Sequence, residues 1–515
     1  MFDNEELIRK RQETIQLDSL FGNRQLLVVS NRQPYKFEQS SKGVSVNRPV
    51  GGLTAGLDPL VRETGGTWIA WGNGDADREV VDDADRVNVP PEDPQYTMRC
   101  LWLTDEQVQG YYYGFSNQVL WPLCHSSLAT VESESSFWEQ YRATNEQFAA
   151  ATAEEADANS VVWLHDYHLA LAPALIREAL GEQSLLMQFW HIPWPSWDVF
   201  RACPHREEVL GGLLGNDVLG FHVQRYATNF LECVDAALPE ATVDWESGDV
   251  IHRGSLTHVD ATPMGVPFQR VQVQAATYRE SDFRSFQRSQ DVDHGTHIAV
   301  GVDRLDYSKG IPERLRGLER LWESAPEWRG KLTYLQNASE SRSEIDAYSD
   351  LQETVAEEIR RINGRFGTDD WQPIVRIEEY LDQRELYGLY RHADVGLVSS
   401  VRDGLNLVAA EYAAAQVDVD GVLVLSTQTG AHDLVGESAV SVSPYDVDGF
   451  AEKLDDALRM SQGERRSRMQ HIRGTVAGND LWTWLRQSAE TARAVERSQH
   501  QPGRYNAGTV HHDEF

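Results

Sequence analysis

The sequence predicts an α/β protein made of two doubly wound domains that face one another across a central cleft. Its 515 residues are too many for one ordinary core. Short apolar runs recur along the chain with helical stretches between them, and continuous rather than alternating runs suit parallel strands covered on both faces. The rhythm lapses once, over a charged and weakly apolar segment at 269–294, and then resumes.

Taken in order, residues 1–24 read as a polar helical extension. Residues 25–266 read as the first Rossmann-like domain, with strands at 26–29, 161–164, 185–190 and 218–221. The 269–294 segment reads as interdomain connection and surface helix. Residues 267–480 form the second such domain, with strands at 297–302, 332–336, 394–399 and 421–426. A helix at 481–497 is expected to return to the first domain, and 498–515 reads as a disordered tail.

The formal net charge is −33 and the pI about 4.8. Such an excess of carboxylates argues against nucleic acid or an anionic membrane as partner. Self-repulsion on this scale calls for screening, so a halophilic source and a salt-rich cytoplasm are expected. Four widely spaced cysteines, Cys100, Cys124, Cys203 and Cys233, form no CxxC pair and read as buried thiols. The N-terminus has no basic and apolar leader pattern, and no apolar stretch is long enough to span a bilayer. A homo-oligomer is compatible with all of this.

The chemistry concentrates at strand ends. Arg304-Leu305-Asp306-Tyr307-Ser308-Lys309-Gly310 follows the apolar run 297–302. It presents two cations at the strand's carboxyl end, where open α/β sheets bind ligands. Arg offers a planar fork of donors and Lys a compact point charge, which suits a diphosphate. A second loop, Arg402-Asp403-Gly404-Leu405-Asn406-Leu407-Val408, leads into a helical stretch containing Glu411. Backbone N–H groups at that helix start suit an anion, while Asp403 and Glu411 can accept from sugar hydroxyls. Carboxylates for hydroxyls beside cations for a diphosphate make a nucleotide-sugar site. In the first half, Arg32 ends a strand and Gly51-Gly52 follow. The cluster Tyr111-Tyr112-Tyr113 with Trp121 has the aromatic density that flanks a sugar ring. His165-Asp166-Tyr167-His168 and His191 also sit at strand ends.

This series resembles the trehalose-6-phosphate synthases, retaining glycosyltransferases of the two-domain GT-B fold. The resemblance runs from about residue 25 to 490 and rests on SNR, GG, YYYGFSN–LWP, HDYH, HIPWP, RLDYSKG, the pair Ser341-Arg342, and RDGLN with its downstream glutamate. It implies glucose transfer from a nucleotide-glucose to glucose 6-phosphate, giving α,α-trehalose 6-phosphate, with no metal or other cofactor. UDP-glucose is the expected donor, with GDP- and ADP-glucose left open. The acceptor glucose 6-phosphate would meet Arg32, Trp71, Tyr112, Trp121, Asp166 and Arg342. The donor would meet Gly52, His191, Arg304, Lys309, Asp403, Gly404, Leu405, Asn406, Leu407, Val408 and Glu411. Asp166, His191, Arg304 and Lys309 would carry the catalysis. Two alternatives stand beside it: a sister transferase acting on glycerol 3-phosphate, and a catalytically silent regulatory homologue.

Overall fold

The computed structural model describes residues 20–22, 24–41, 43–48 and 52–499. The expected N-terminal extension through residue 19, Gly51, and the tail from residue 500 lie outside the described residues. Two sheets organise the rest. The first has ten strands: β1 Gln25–Arg32, β4 Thr67–Trp71, β5 Arg86–Val89, β6 Tyr96–Leu101, β7 Ser160–His165, β8 Leu185–Phe189, β9 Val218–Phe221, β10 Thr242–Asp244, β11 Asp249–His252 and β12 Ser255–Ala261. Their order is β10-β11-β12-β9-β8-β7-β1-β4-β6-β5. Strands from β12 to β6 in that order run parallel, while β5, β11 and β10 add antiparallel edges.

The second sheet joins β13 His297–Arg304, β14 Leu332–Ser339, β15 Ile374–Ile377, β16 Val395–Val398, β17 Val422–Ser426 and β18 Val440–Val442. Its order is β15-β14-β13-β16-β17-β18 and every pair is parallel. In each sheet the strand order reverses direction at one place: between β1 and β7 in the first, between β13 and β16 in the second. A doubly wound sheet opens its ligand crevice at such a point, at the carboxyl ends of the strands. The carboxyl ends of β1, β7, β13 and β16 and the loops after them carry Arg32, Asp166, Arg304 to Lys309, and Arg402 to Asn406. The topology thereby selects the motifs the sequence singled out.

Several elements differ from the sequence expectation. The 269–294 segment is more than a connection: helices Phe268–Thr277 and Glu280–Ser289 bury Phe268, Val271, Ala275 and Phe283 in the second half's core. The loop after Arg32 holds a hairpin, β2 Lys36–Ser40 with β3 Gly43–Asn47. Buried Asp77 anchors its start by accepting from Phe37 N–H and Gln33 Nε2, both at 2.8 Å. Leu20 and Phe21, placed by sequence in the extension, are buried in the first half's core.

The last helix, Leu481–Gln499, runs two residues past the expected end, and Gln499 Nε2 donates to Asp217 Oδ1 at 3.0 Å. Trp484 on this helix is fully buried, with ring centroids 5.2 Å from Trp163 and 5.1 Å from Phe189 in the first sheet. All four cysteines are free and buried. No helix among the described residues is long and apolar enough to cross a membrane.

Candidate active site

On the first half's side, the β1–β4 register shifts between Ser30 and Arg32, a bulge that re-aims the last side chain of the strand. Ser30 Oγ holds the irregularity, donating to Arg32 O at 2.8 Å and accepting from Trp68 Nε1 at 2.9 Å. The aromatic cluster folds as a π-helix, Val108–Leu120, a wide geometry that concentrates at functional sites. Asn117 Nδ2 donates to Tyr112 O at 2.7 Å, and its Oδ1 accepts from the Tyr167 hydroxyl at 2.7 Å. Tyr112 lies between Trp71, at 5.7 Å, and the parallel ring of His168, at 5.9 Å. Burial would raise the Tyr112 hydroxyl's pKa, but Arg342, Arg32 and Arg304 outweigh it and hold the group low. These three cations come from three separate strand ends.

Arg342, expected from the resemblance to meet the acceptor, has a side chain only 4% exposed. Its backbone is left-handed (φ 50°), an uncommon and strained state for a residue other than glycine. The guanidinium lies 4.0 Å over the Trp121 ring and donates to Asp306 at 3.2 Å, Tyr348 Oη at 2.5 Å and Tyr167 Oη at 3.2 Å. Arg304 approaches the same indole at 5.4 Å. Trp121 is stacked on His125 at 4.1 Å.

The second half's two loops are joined to each other. Val401 N–H donates to Ser308 O at 2.9 Å. Lys309 Nζ meets Asp403 Oδ2 at 2.5 Å, and the same oxygen accepts from Ser400 at 3.1 Å and Asn406 at 3.0 Å. One Asp403 oxygen is thus committed to protein donors, more than the sequence reading foresaw. Asn406, in left-handed conformation (φ 77°), opens helix Leu407–Ala415. A Cβ on Gly404 would lie 2.2 Å from His191 O, so only glycine lets this loop pack on the first half. Tyr226 Oη reinforces the junction, donating to Asp403 O at 2.9 Å.

Asp166 stands beside Arg32 and Arg342; its backbone turns sharply after β7 (φ 72°) and its carbonyl accepts from Gln188 Nε2 at 3.0 Å. Burial raises its carboxyl to about 6, opposed by the N–H groups of Tyr167 and His191 and by Arg32 and Arg342. His191 Nε2 lies 3.2 Å from His165 Nδ1, and burial lowers both rings, His165 to about 3, so both are neutral near pH 7. Glu411 stands apart, farther along its helix. Burial alone raises it to about 7. Gly52 opens helix Gly52–Thr64. Leu405 packs in the core that contains Trp484, and Leu407 and Val408 form the first turn of their helix.

Buried polar atoms without a protein partner gather here: Asp166 Oδ1, both His168 nitrogens, Trp121 Nε1 and Arg342 Nε on one side, Ser308 Oγ and Asn406 Oδ1 on the other. Each such atom costs about 1–3 kcal/mol when left unpaired. Their concentration in one cleft marks a polar ligand site. Sequence reasoning gave no substrate-binding role to His168, Asp306 or Tyr348. The first two lie inside quoted motifs, while nothing in the local sequence marks Tyr348. No cluster of three or more His, Cys, Asp and Glu side chains suited to a metal occurs among the described residues.

Two doubly wound halves that bring cationic strand-end loops to one cleft have the two-domain architecture expected of the GT-B fold. The profile of glycosyltransferase family 20 matches residues 24–494, and the chain belongs to that family. It is 35% identical over 444 residues to an Aspergillus fumigatus α,α-trehalose-phosphate synthase (UDP-forming), covering 85% of this chain and 84% of that one. It is 33% identical over 464 residues to the Dictyostelium discoideum synthase A, covering 89% of this chain but only 61% of that longer protein. The crystal structure of a UDP-forming α,α-trehalose-phosphate synthase from Burkholderia xenovorans in complex with glucose 6-phosphate superposes with a TM-score of 0.80 at 32% identity. That match covers 92% of this chain and 100% of that one.

Proposed function

We propose that this chain transfers glucose from UDP-glucose to glucose 6-phosphate with retention of configuration, forming α,α-trehalose 6-phosphate. The observation that carries this reading is the buried Arg342 guanidinium, with an unpartnered Nε–H, beside Tyr112 and Trp121 and apart from the Lys309–Asp403 pair. Two separate cationic centres suit two phosphorylated substrates, with Asp166 beside the Arg342 one. Arg32 and Arg342 take the acceptor phosphate, Trp71, Tyr112 and Trp121 enclose its ring, and Asp166 accepts from its hydroxyls. Gly52, Gly404 and the Leu405-to-Val408 backbone line the donor, with Glu411 on the ribose and His191 beside the transferred glucose.

As the donor's C1–O bond breaks, negative charge grows on the departing β-phosphate, and Arg304 and Lys309 stabilise it in a water-poor cleft. The acceptor's anomeric oxygen bonds to C1 on the face the diphosphate leaves, and its proton passes to a departing phosphate oxygen. Two cations in this position supply the charge that a divalent metal supplies elsewhere, so the reaction needs no metal. The composition supports a salt-rich cytoplasm as its setting.

An assay of the purified chain against UDP-, GDP- and ADP-glucose with glucose 6-phosphate, glucose and glycerol 3-phosphate tests the reading. UDP-glucose with glucose 6-phosphate should react fastest, and glucose without its phosphate should be very poor. Faster reaction with glycerol 3-phosphate replaces the acceptor assignment, and no transfer with any pair favours a regulatory homologue. Arg342→Ala should raise the acceptor KM by roughly 10- to 100-fold, the scale of a charge-assisted hydrogen bond, and leave the donor KM nearly unchanged.

A further inference from the structure

Asp306 lines neither substrate pocket as assigned above, yet it holds a residue of each. Its side chain is fully buried. Oδ2 accepts from Arg342 Nη1 at 3.2 Å and from the Tyr348 hydroxyl at 3.4 Å. Oδ1 accepts from Ser308 N–H at 3.0 Å and so caps the single turn Tyr307–Lys309 that presents the Lys309 ammonium. The two oxygens therefore serve different partners. Burial works against its ionisation, but Arg342 and Arg304 overcome this and hold the carboxyl at about 2, so it is charged throughout the neutral range.

Two features separate this carboxylate from an ordinary buried ion pair. Asp303, three residues earlier, pairs with buried Arg314 at 2.7 Å, and Arg314 otherwise bonds Tyr334 and Ser399, all within the second half. Arg342, by contrast, spans the cleft to Tyr167 and Trp121 of the first half. Its left-handed backbone also persists only where surrounding contacts over-determine it, and Asp306 with Tyr348 supplies those contacts.

We infer that Asp306 is a positioning residue shared by the two substrate sites, one oxygen fixing the acceptor-phosphate arginine and the other the turn that carries the donor-diphosphate lysine. The inference rests on the proposed function, in which Arg342 meets the acceptor and Lys309 the donor. Its signature is a change in both substrates' parameters from one side chain that touches neither.

Steady-state kinetics of Asp306→Asn, which keeps the shape and loses the charge, test it. The KM for glucose 6-phosphate should rise roughly tenfold, since a charged hydrogen bond to Arg342 is lost. The donor KM or turnover should worsen in the same variant. Tyr348→Phe removes only the hydroxyl on the Arg342 side and should raise the acceptor KM several-fold with donor parameters unchanged. In an Asp306→Asn, Arg342→Ala double variant the acceptor KM should be no worse than in Arg342→Ala alone, because residues acting through one group are non-additive. An Asp306→Asn effect confined to one substrate, a multiplied effect in the double variant, or an unchanged acceptor KM in Tyr348→Phe would each overturn the inference. A parent chain inactive with both substrates instead overturns the functional reading beneath it. Circular-dichroism melts identify variants that fail to fold; if Asp306→Asn is one, Asp306→Glu, which keeps the charge and displaces both oxygens, is read by the same criterion, and an effect on one substrate alone overturns the inference.

Discussion

Lys309 is paired with Asp403 at 2.5 Å, so its positive charge is already directed before any diphosphate arrives. That arrangement avoids reorganisation when charge develops, and this is where such contacts act most strongly. Lys309→Ala should lower turnover by about 10²–10³ and change the acceptor KM little. Near-normal turnover in that variant would remove Lys309 from the reaction. Glu411 makes a second prediction at this scale. Burial raises its carboxyl from 4.5 to about 7, so protons bind more tightly to the folded chain. Its contribution to stability is therefore fully present below about 4.5 and is lost as pH rises through about 7. If its carboxylate accepts from the donor ribose, donor affinity should instead weaken as pH falls through 7, and Glu411→Gln should flatten that dependence. Calorimetric titration with UDP across pH 5.5–8.5 measures it.

At the scale of elements, the site depends on irregular pieces. The π-helix Val108–Leu120 sets Tyr112 toward the cleft, the short helix Trp121–Cys124 that continues it carries Trp121, and Asn117 links the π-helix backbone to Tyr167. Helix Leu481–Gln499 closes the first half from the far end of the chain. Its Trp484 lies within 6.5 Å, centroid to centroid, of both His165 and His191, so one ring backs the strand ends that carry the chemistry. Trp484→Ala should cost about 3–5 kcal/mol in stability, the usual loss for a fully buried aromatic. Chemical denaturation followed by circular dichroism should show the midpoint falling, and a loss below 1 kcal/mol would mean that the helix does not hold the first half together.

At the scale of the whole molecule, 80 acidic side chains against 47 basic ones leave a net charge of −33. Many exposed ion pairs are formed, such as Arg466 with Asp420 at 3.1 Å and Lys453 with Asp456 at 3.1 Å. Exposed pairs contribute only about 0–1 kcal/mol each, too little to offset repulsion among the surplus carboxylates. Salt shortens the Debye length to roughly 3 Å near 1 M and should relieve that repulsion. Melting temperature and activity should therefore rise as salt is increased from dilute buffer toward molar concentration. An unchanged melting temperature over that range would give the acidic surface another explanation.

The fold was legible because apolar runs report burial directly. The strands at 161–164, 218–221 and 297–302 are marked by continuous hydrophobicity, since a parallel strand covered on both faces tolerates little else. The switch-point residues were legible for a related reason: Arg32 and Arg304 end such strands, Asp166 directly follows one and Asp403 lies in the loop after another, so strand position sets their location. Hairpin β2–β3, the short edge strands and the π-helix were not, because their sequences are mixed and their geometry depends on what packs against them. Asp77 anchors the hairpin across some forty residues, a contact that local patterning does not register. Arg342 was legible only through the family resemblance of the pair Ser341-Arg342, because the polar loop around it has no local pattern that marks burial. The long-range approach of Asp306, Tyr348, Tyr167 and Trp121 buries it and aims it at the cleft. Sequence alone determined which strand ends carry charge, because hydrophobic periodicity is local. Which charges meet, and through which shared carboxylate, only the tertiary structure decided, because electrostatic contacts depend on distance in space and not along the chain.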